Sequence, residues 1–155
     1  MADLAAGDRS AKKAAVNFLM KNRDTSLLPK LEEIRLEVDR RTRRLLKPLI
    51  DLLSNQVKLL SPDSETRRGA ARDLGMRGYQ AGLPLLEGAL QRESARWVRY
   101  DIEEAISLIN LENEDPKVRI AAITKLGEMR SANALPLLTE FAKVDGADPQ
   151  KEAIA

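Results

Sequence analysis

The side chains best suited to acid–base, metal or nucleophilic chemistry are largely missing from this chain. It has no histidine and no cysteine. That removes the commonest general base, the commonest zinc ligands, thiolate nucleophiles and disulfides. Serine and threonine hydroxyls have no imidazole to activate them, so a serine triad is excluded. Two adjacent carboxylate pairs remain, Glu32-Glu33 and Glu103-Glu104. Neighbours on a helix point about 100° apart, so neither pair makes an acid–base dyad, and both read as solvated. No Gly-x-Gly-x-x-Gly or Walker-type loop cradles a phosphate. The expectation is a non-enzyme with no catalytic, cofactor-binding or metal-ligating residues and no cofactor.

Two clusters are suited to binding. "DRRTRRLLK", residues 39–47, gathers Arg40, Arg41, Arg43, Arg44 and Lys47. Such a cluster neutralises phosphates, but Glu37, Asp39 and Asp51 flank it and no aromatics interleave for base stacking. A solvated face is therefore favoured over nucleic acid. Residues 1–60 carry 13 Lys/Arg against 8 Asp/Glu, a net +5, and residues 61–155 carry 13 against 16, a net −3. The second cluster is Arg96, Trp97, Arg99 and Tyr100. Tryptophan, tyrosine and arginine dominate protein-binding hot spots. The alternative, equally weighted, packs Trp97 on the flank of the fold with the arginines in water.

Helices must position these residues. A core poor in aromatics and rich in Leu, Ile, Val and Ala, among Glu, Lys and Arg, favours helix over strand. Helices are predicted near 9–21, 25–36, 38–59, 65–76, 80–92, 96–111, 116–129 and 132–144, with Pro48 kinking or splitting the third. Val98, Ile102, Ala105 and Ile109 share one face of the helix near 96–111. Val118, Ala122, Leu126 and Met129 share another, and Leu135, Leu138 and Ala142 continue the pattern. Asp115 is its N-cap, Pro116 its first residue, and Gly127 a candidate stop.

The pattern repeats. "SLLPKLEEI", "GLPLLEGAL" and "ALPLLTEFA" hold Pro29, Pro84 and Pro136. Upstream of each lies a matching block: "GDRSAKKAAVNFLM", "PDSETRRGAARDLG" and "EDPKVRIAAITKLG". Pro84 to Pro136 is 52 residues, as is Leu74-Gly75 to Leu126-Gly127, and Pro29 to Pro84 is 55. Proline is expected in the first turn of each second helix or just beyond it, near where the amides lack an acceptor anyway. Asp8/Lys12, Asp63/Arg67 and Asp115/Arg119 recur four apart and read as caps with local ion pairs rather than a binding ladder. A fixed period of helix pairs predicts an all-α solenoid of stacked antiparallel helix pairs. One domain over 1–155 is expected, with repeat units near 2–58, 59–110 and 111–145. In "GADPQKEAIA", Asp148-Pro149 repeats the helix start, so residues 146–155 read as the start of a truncated further repeat.

The combination of Asp-Pro-x-x-Arg, an apolar stripe, Leu-Gly and Leu-Pro-Leu-Leu resembles HEAT repeats of the phycobilisome-lyase-like class. Residues 83–138, with the acidic helix "YDIEEAISLINL" between two pairs, resemble the extramembrane N-terminal HEAT region of urea-type ABC transporter permeases. The resemblance covers 59–149 well and 2–36 more loosely. It implies a protein-interaction scaffold, an extracytoplasmic (periplasmic) location and an accessory role in uptake. The implied partner is a solute-binding protein or other transporter component, with no membrane contact in this stretch. The alternative is a free-standing HEAT-repeat protein, acting as a lyase-like accessory subunit or a nucleic-acid-binding solenoid.

Overall fold

Asp8, Asp39, Asp63 and Asp115 each begin a helix. Their carboxylates accept from the amides of Ala11, of Arg41 and Thr42, of Thr66, and of Lys117. Each satisfies a backbone donor that has no partner within its helix. The computed structural model describes residues 7–143, with side chains as far as Thr139. The expectation for residues 146–155 lies outside the described residues.

The helices are α1 (Arg9–Asn22), α2 (Leu28–Glu37), α3 (Arg40–Lys58), α4 (Ser64–Met76), α5 (Leu83–Arg92), α6 (Arg96–Asn110), α7 (Pro116–Glu128) and α8 (Leu135–Lys143). Every regular element among the described residues is helical, and the fold is all-α, of the HEAT-like solenoid type. The chain forms two compact units, residues 1–61 and 62–155.

In the first unit α3 packs against α1 and α2. Val16, Leu31, Ile34, Val38, Leu46, Leu49, Ile50 and Leu53 form its core. Of the two outcomes expected at Pro48, a kink or a split, the split does not occur, because α3 runs unbroken from Arg40 to Lys58. Proline removes one backbone hydrogen bond, to the carbonyl of exposed Arg44. The buried leucines on both sides of it hold the axis together.

In the second unit α6 is central and packs against α4, α5 and α7. Val98, Ile102, Ala105 and Ile109 are all buried, as their spacing predicts. Gly75 explains the closest approach. A Cβ there would lie 2.7 Å from the Cα of Ala105 and 2.8 Å from its Cβ, so only hydrogen fits. Gly127, its counterpart one repeat later, has nothing among the described residues beyond its own helix turn within 4 Å of that position. Leu108, Leu111, Ala122, Ile123, Leu126 and Ala134 form a core between α6, α7 and the start of α8. Leu135, expected inside, is 65% exposed, and Ala134 is buried in its place.

The recurring prolines sit where the repeat places them. Pro29, Pro84 and Pro136 are the second residues of α2, α5 and α8. The predicted starts of these helices are about three residues early. Short 3-10 turns, Thr25–Leu27 and Gln80–Gly82, precede α2 and α5 and account for the difference. The stops also repeat. Arg23, Gly78 and Arg130 all adopt positive φ (50°, 62° and 52°) just after α1, α4 and α7. The helix stop is therefore Arg130 and not Gly127. The amides of Arg130 and Ser131 return to the carbonyls of Gly127 and Leu126, at 3.0 Å each, which closes the last turn.

Candidate functional site

At three helix starts an arginine four residues after the aspartate cap reaches back to a carbonyl that precedes it. Arg43 Nε donates to Val38 O at 2.9 Å, Arg67 Nη1 to Pro62 O at 2.9 Å, and Arg119 Nη1 to Glu114 O at 3.0 Å. Arg119 also donates to Asn113 O at 2.9 Å. The repeat positions Asp63, Arg67, Asp115 and Arg119 thus form helix-start clasps, and Pro84 and Pro136 open the helices that follow. The pair Asp39/Arg43 has the same spacing as the three pairs noted in the sequence. That spacing was the signal that Arg43 is part of the framework.

Arg67 does more. Its guanidinium grips Glu93 with Nε–Oε2 at 2.6 Å and Nη2–Oε1 at 3.2 Å. Glu93 Oε1 also accepts from the amides of Ser94 and Ala95, at 3.0 and 2.9 Å, ahead of α6. The hydrogen bond from Arg67, then those from the amides, hold this buried carboxyl below its ordinary value of 4.5. Asp39 is likewise lowered to about 2, chiefly by hydrogen bonds from the Thr42 hydroxyl and amide. A carboxylate with a depressed folded pKa stabilises the fold fully above its unfolded value, and that contribution is lost as pH falls through the folded value. Glu93→Gln should therefore lower the melting temperature most at pH 6–7. The gap to wild type should close as pH falls below about 4.5. Melting curves at stepped pH measure this, and a gap that stays constant to pH 3 would refute the role of the Glu93 charge.

The α6 cluster is partly brought together. Arg96 lies 5.3 Å over the Trp97 ring, and Trp97 meets Tyr100 edge-on with centroids 6.2 Å apart. Trp97 is 60% exposed. Arg99 turns away, donating through Nη1 to Leu90 O and Glu93 O at 2.9 and 3.0 Å. Tyr100 donates its hydroxyl to Met129 O at 3.1 Å. Burial, then the charges of Glu104 and Asp101, push its phenol up. Arg99 and Tyr100 are therefore tied into the framework, and Arg96 with Trp97 faces solvent.

The arginines of α3 belong to the first unit. Arg40, Arg41 and Arg44 are exposed, and the last two line a cavity with Arg9, Lys12, Asp39, Thr42 and Leu45. Sequence reading missed this convergence, because Arg9 and Lys12 lie some thirty positions away.

The solvated reading of Glu103-Glu104 is corrected. Glu104 is only 3% exposed. Its carboxylate accepts from the Ser131 hydroxyl at 2.5 Å and the Asn133 amide at 2.9 Å. The reason is geometric: the same face of α6 that carries Ala105 and Leu108 meets the loop between α7 and α8. Glu103 pairs with Lys125 at 3.1 Å. Asp101, also buried, pairs with Arg68 at 2.6 Å and Arg72 at 3.0 Å. Glu32 and Glu33 pair locally with Arg35 and Lys30.

The third helix pair carries a likeness to a known repeat. Residues 118–143 match the PBS lyase HEAT-like repeat. HEAT-like repeats point to protein interaction, and their families are typically non-catalytic. Neither a curated protein nor a solved structure matches the chain. Among the described residues no group of three or more acidic side chains could hold a metal ion, and no helix is long and apolar enough to cross a membrane.

Proposed function

We propose that this HEAT-like chain is a non-catalytic protein-interaction scaffold whose partner face centres on Trp97. The observation that carries the reading is the exposure of that ring, 60%, beneath the Arg96 guanidinium and against the Tyr100 edge. A large apolar ring left in water gains free energy when a partner covers it. Because Tyr100 is already anchored through its hydroxyl, the ring is braced before binding, which limits the entropy lost on association.

The finer reading is that the chain is the extramembrane, extracytoplasmic HEAT region of a urea-type ABC transporter permease, with the solute-binding protein as partner. The resemblance of residues 83–138 supports it. Calorimetric titration of the chain with the purified urea-type solute-binding protein tests both levels. Binding is expected, weakened about thirtyfold or more by Trp97→Ala, as for a central aromatic anchor. No heat of binding would end the transporter reading. Binding that Trp97→Ala leaves intact would move the partner face elsewhere.

A further inference from the structure

We infer that the cavity between α1 and the first turns of α3 binds a small phosphate-bearing anion, held by Arg9, Lys12, Arg41 and Arg44. This goes beyond the scaffold reading and does not depend on it. The cavity measures about 440 Å³, within the range of small-molecule sites. Four cations and one carboxylate line it among the described residues.

That one carboxylate is already occupied. Asp39 Oδ1 accepts from the amides of Arg41 and Thr42 at 2.7 and 3.1 Å, and Oδ2 accepts from the Thr42 hydroxyl at 2.6 Å. Lys12 is largely enclosed, with 16% of its side chain exposed. Among the described residues its ammonium meets the Thr42 hydroxyl at 3.2 Å and Asp39 Oδ2 at 3.9 Å. Elsewhere Arg35, Arg67, Arg68, Arg72 and Arg77 each pair with a carboxylate. Arg9, Arg41 and Arg44 pair with none among the described residues.

Four like charges around one hollow repel one another, and a bound polyanion relieves that repulsion. The first turns of α1 and α3, capped by Asp8 and Asp39, border the cavity and carry its cationic side chains. Guanidinium forks match phosphate oxygens with two parallel hydrogen bonds. Among the described residues no aromatic ring lines the hollow, so a stacked base has no platform there. The chemistry selected is therefore the phosphate group itself.

Inorganic pyrophosphate is the probe, titrated into the full chain in a calorimeter at low ionic strength, with the melting temperature followed in parallel. Wild type should bind it and melt higher as its concentration rises. Arg41→Gln combined with Arg44→Gln should weaken binding by about tenfold or more, since each fork contact is charge-assisted. Lys58→Gln, at the opposite end of α3, removes a charge outside the cavity and should leave affinity unchanged. Circular dichroism of the double variant at 222 nm checks that it folds, and Lys12→Met provides a second lesion in the same cavity. Equal binding by wild type and both cavity variants would overturn the inference, as would the absence of any binding or stabilisation by pyrophosphate. A single-stranded oligonucleotide bound far more tightly than pyrophosphate, with a salt slope of more than about four phosphates, would also overturn it in favour of a nucleic-acid groove.

Discussion

Glu104→Ala should destabilise the protein by about 3 kcal/mol, because it strips the acceptor from two donors and leaves a void. Glu104 is buried on α6, and both its oxygens are used by the loop after α7. Ser131 is itself committed, since its oxygen accepts from the Ala134 amide at 3.0 Å and so shapes the approach to α8. Losing the carboxylate therefore loosens the hydroxyl that organises this turn. Glu104→Gln should cost much less, about 1 kcal/mol. The glutamine oxygen still accepts from Ser131, and exposed Asn133 can rotate its amide to present an oxygen to the new NH2. Urea unfolding followed at 222 nm distinguishes the two. Equal losses would mean that the charge, and not the acceptor geometry, holds the loop.

The Leu-Gly pair of the repeat predicts effects of opposite sign at equivalent positions. Gly75→Ala forces a methyl to within 2.7–2.8 Å of Ala105, where backbone and not a flexible side-chain tip must yield. Such overpacking costs about 2–3 kcal/mol, more than the ~1 kcal/mol that alanine gains over glycine in a helix. Gly127→Ala meets no atom of the described residues within 4 Å beyond its own helix turn, so the propensity gain remains, about 0.5–1 kcal/mol of stabilisation. Melting temperatures of the two variants should move apart from wild type in opposite directions. A shift of the same sign in both would show that α4 and α6 do not pack at the observed distance.

The sequence made local features visible because local rules set them. Asp115 before Pro116, proline in the first turn of α5 and α8, and the apolar face of α6 follow from capping geometry and helical period, and each appears where the residues place it. Pro48 does not split its helix, since the buried leucines around it outweigh one missing hydrogen bond. Residues whose partners lie some thirty positions away were not legible. Glu104 looks like any surface glutamate until Ser131 and Asn133 fold against it, and exposed Arg41 gains Arg9 and Lys12 as neighbours on the cavity wall through the fold alone. Trp97 was legible as an odd residue, but its exposure depended on which way α6 turned against α4, α5 and α7. The roles of Arg99 and Tyr100 were hidden for the same reason, because their acceptors are backbone carbonyls on other elements.

The arginine clasp has a consequence for how such a chain grows. At Asp39/Arg43, Asp63/Arg67 and Asp115/Arg119 the cap and the arginine's carbonyl acceptors lie no more than six residues from that arginine. Instructions for starting a helix are thus written within a few consecutive codons and need no help from a neighbouring repeat. A tandem duplication of one period copies them whole. Only the surfaces between copies, such as the contact of Glu104 with Ser131 and Asn133, are left for later substitutions to refine, so lengthening the array is an easier evolutionary step than redesigning any one of its joints.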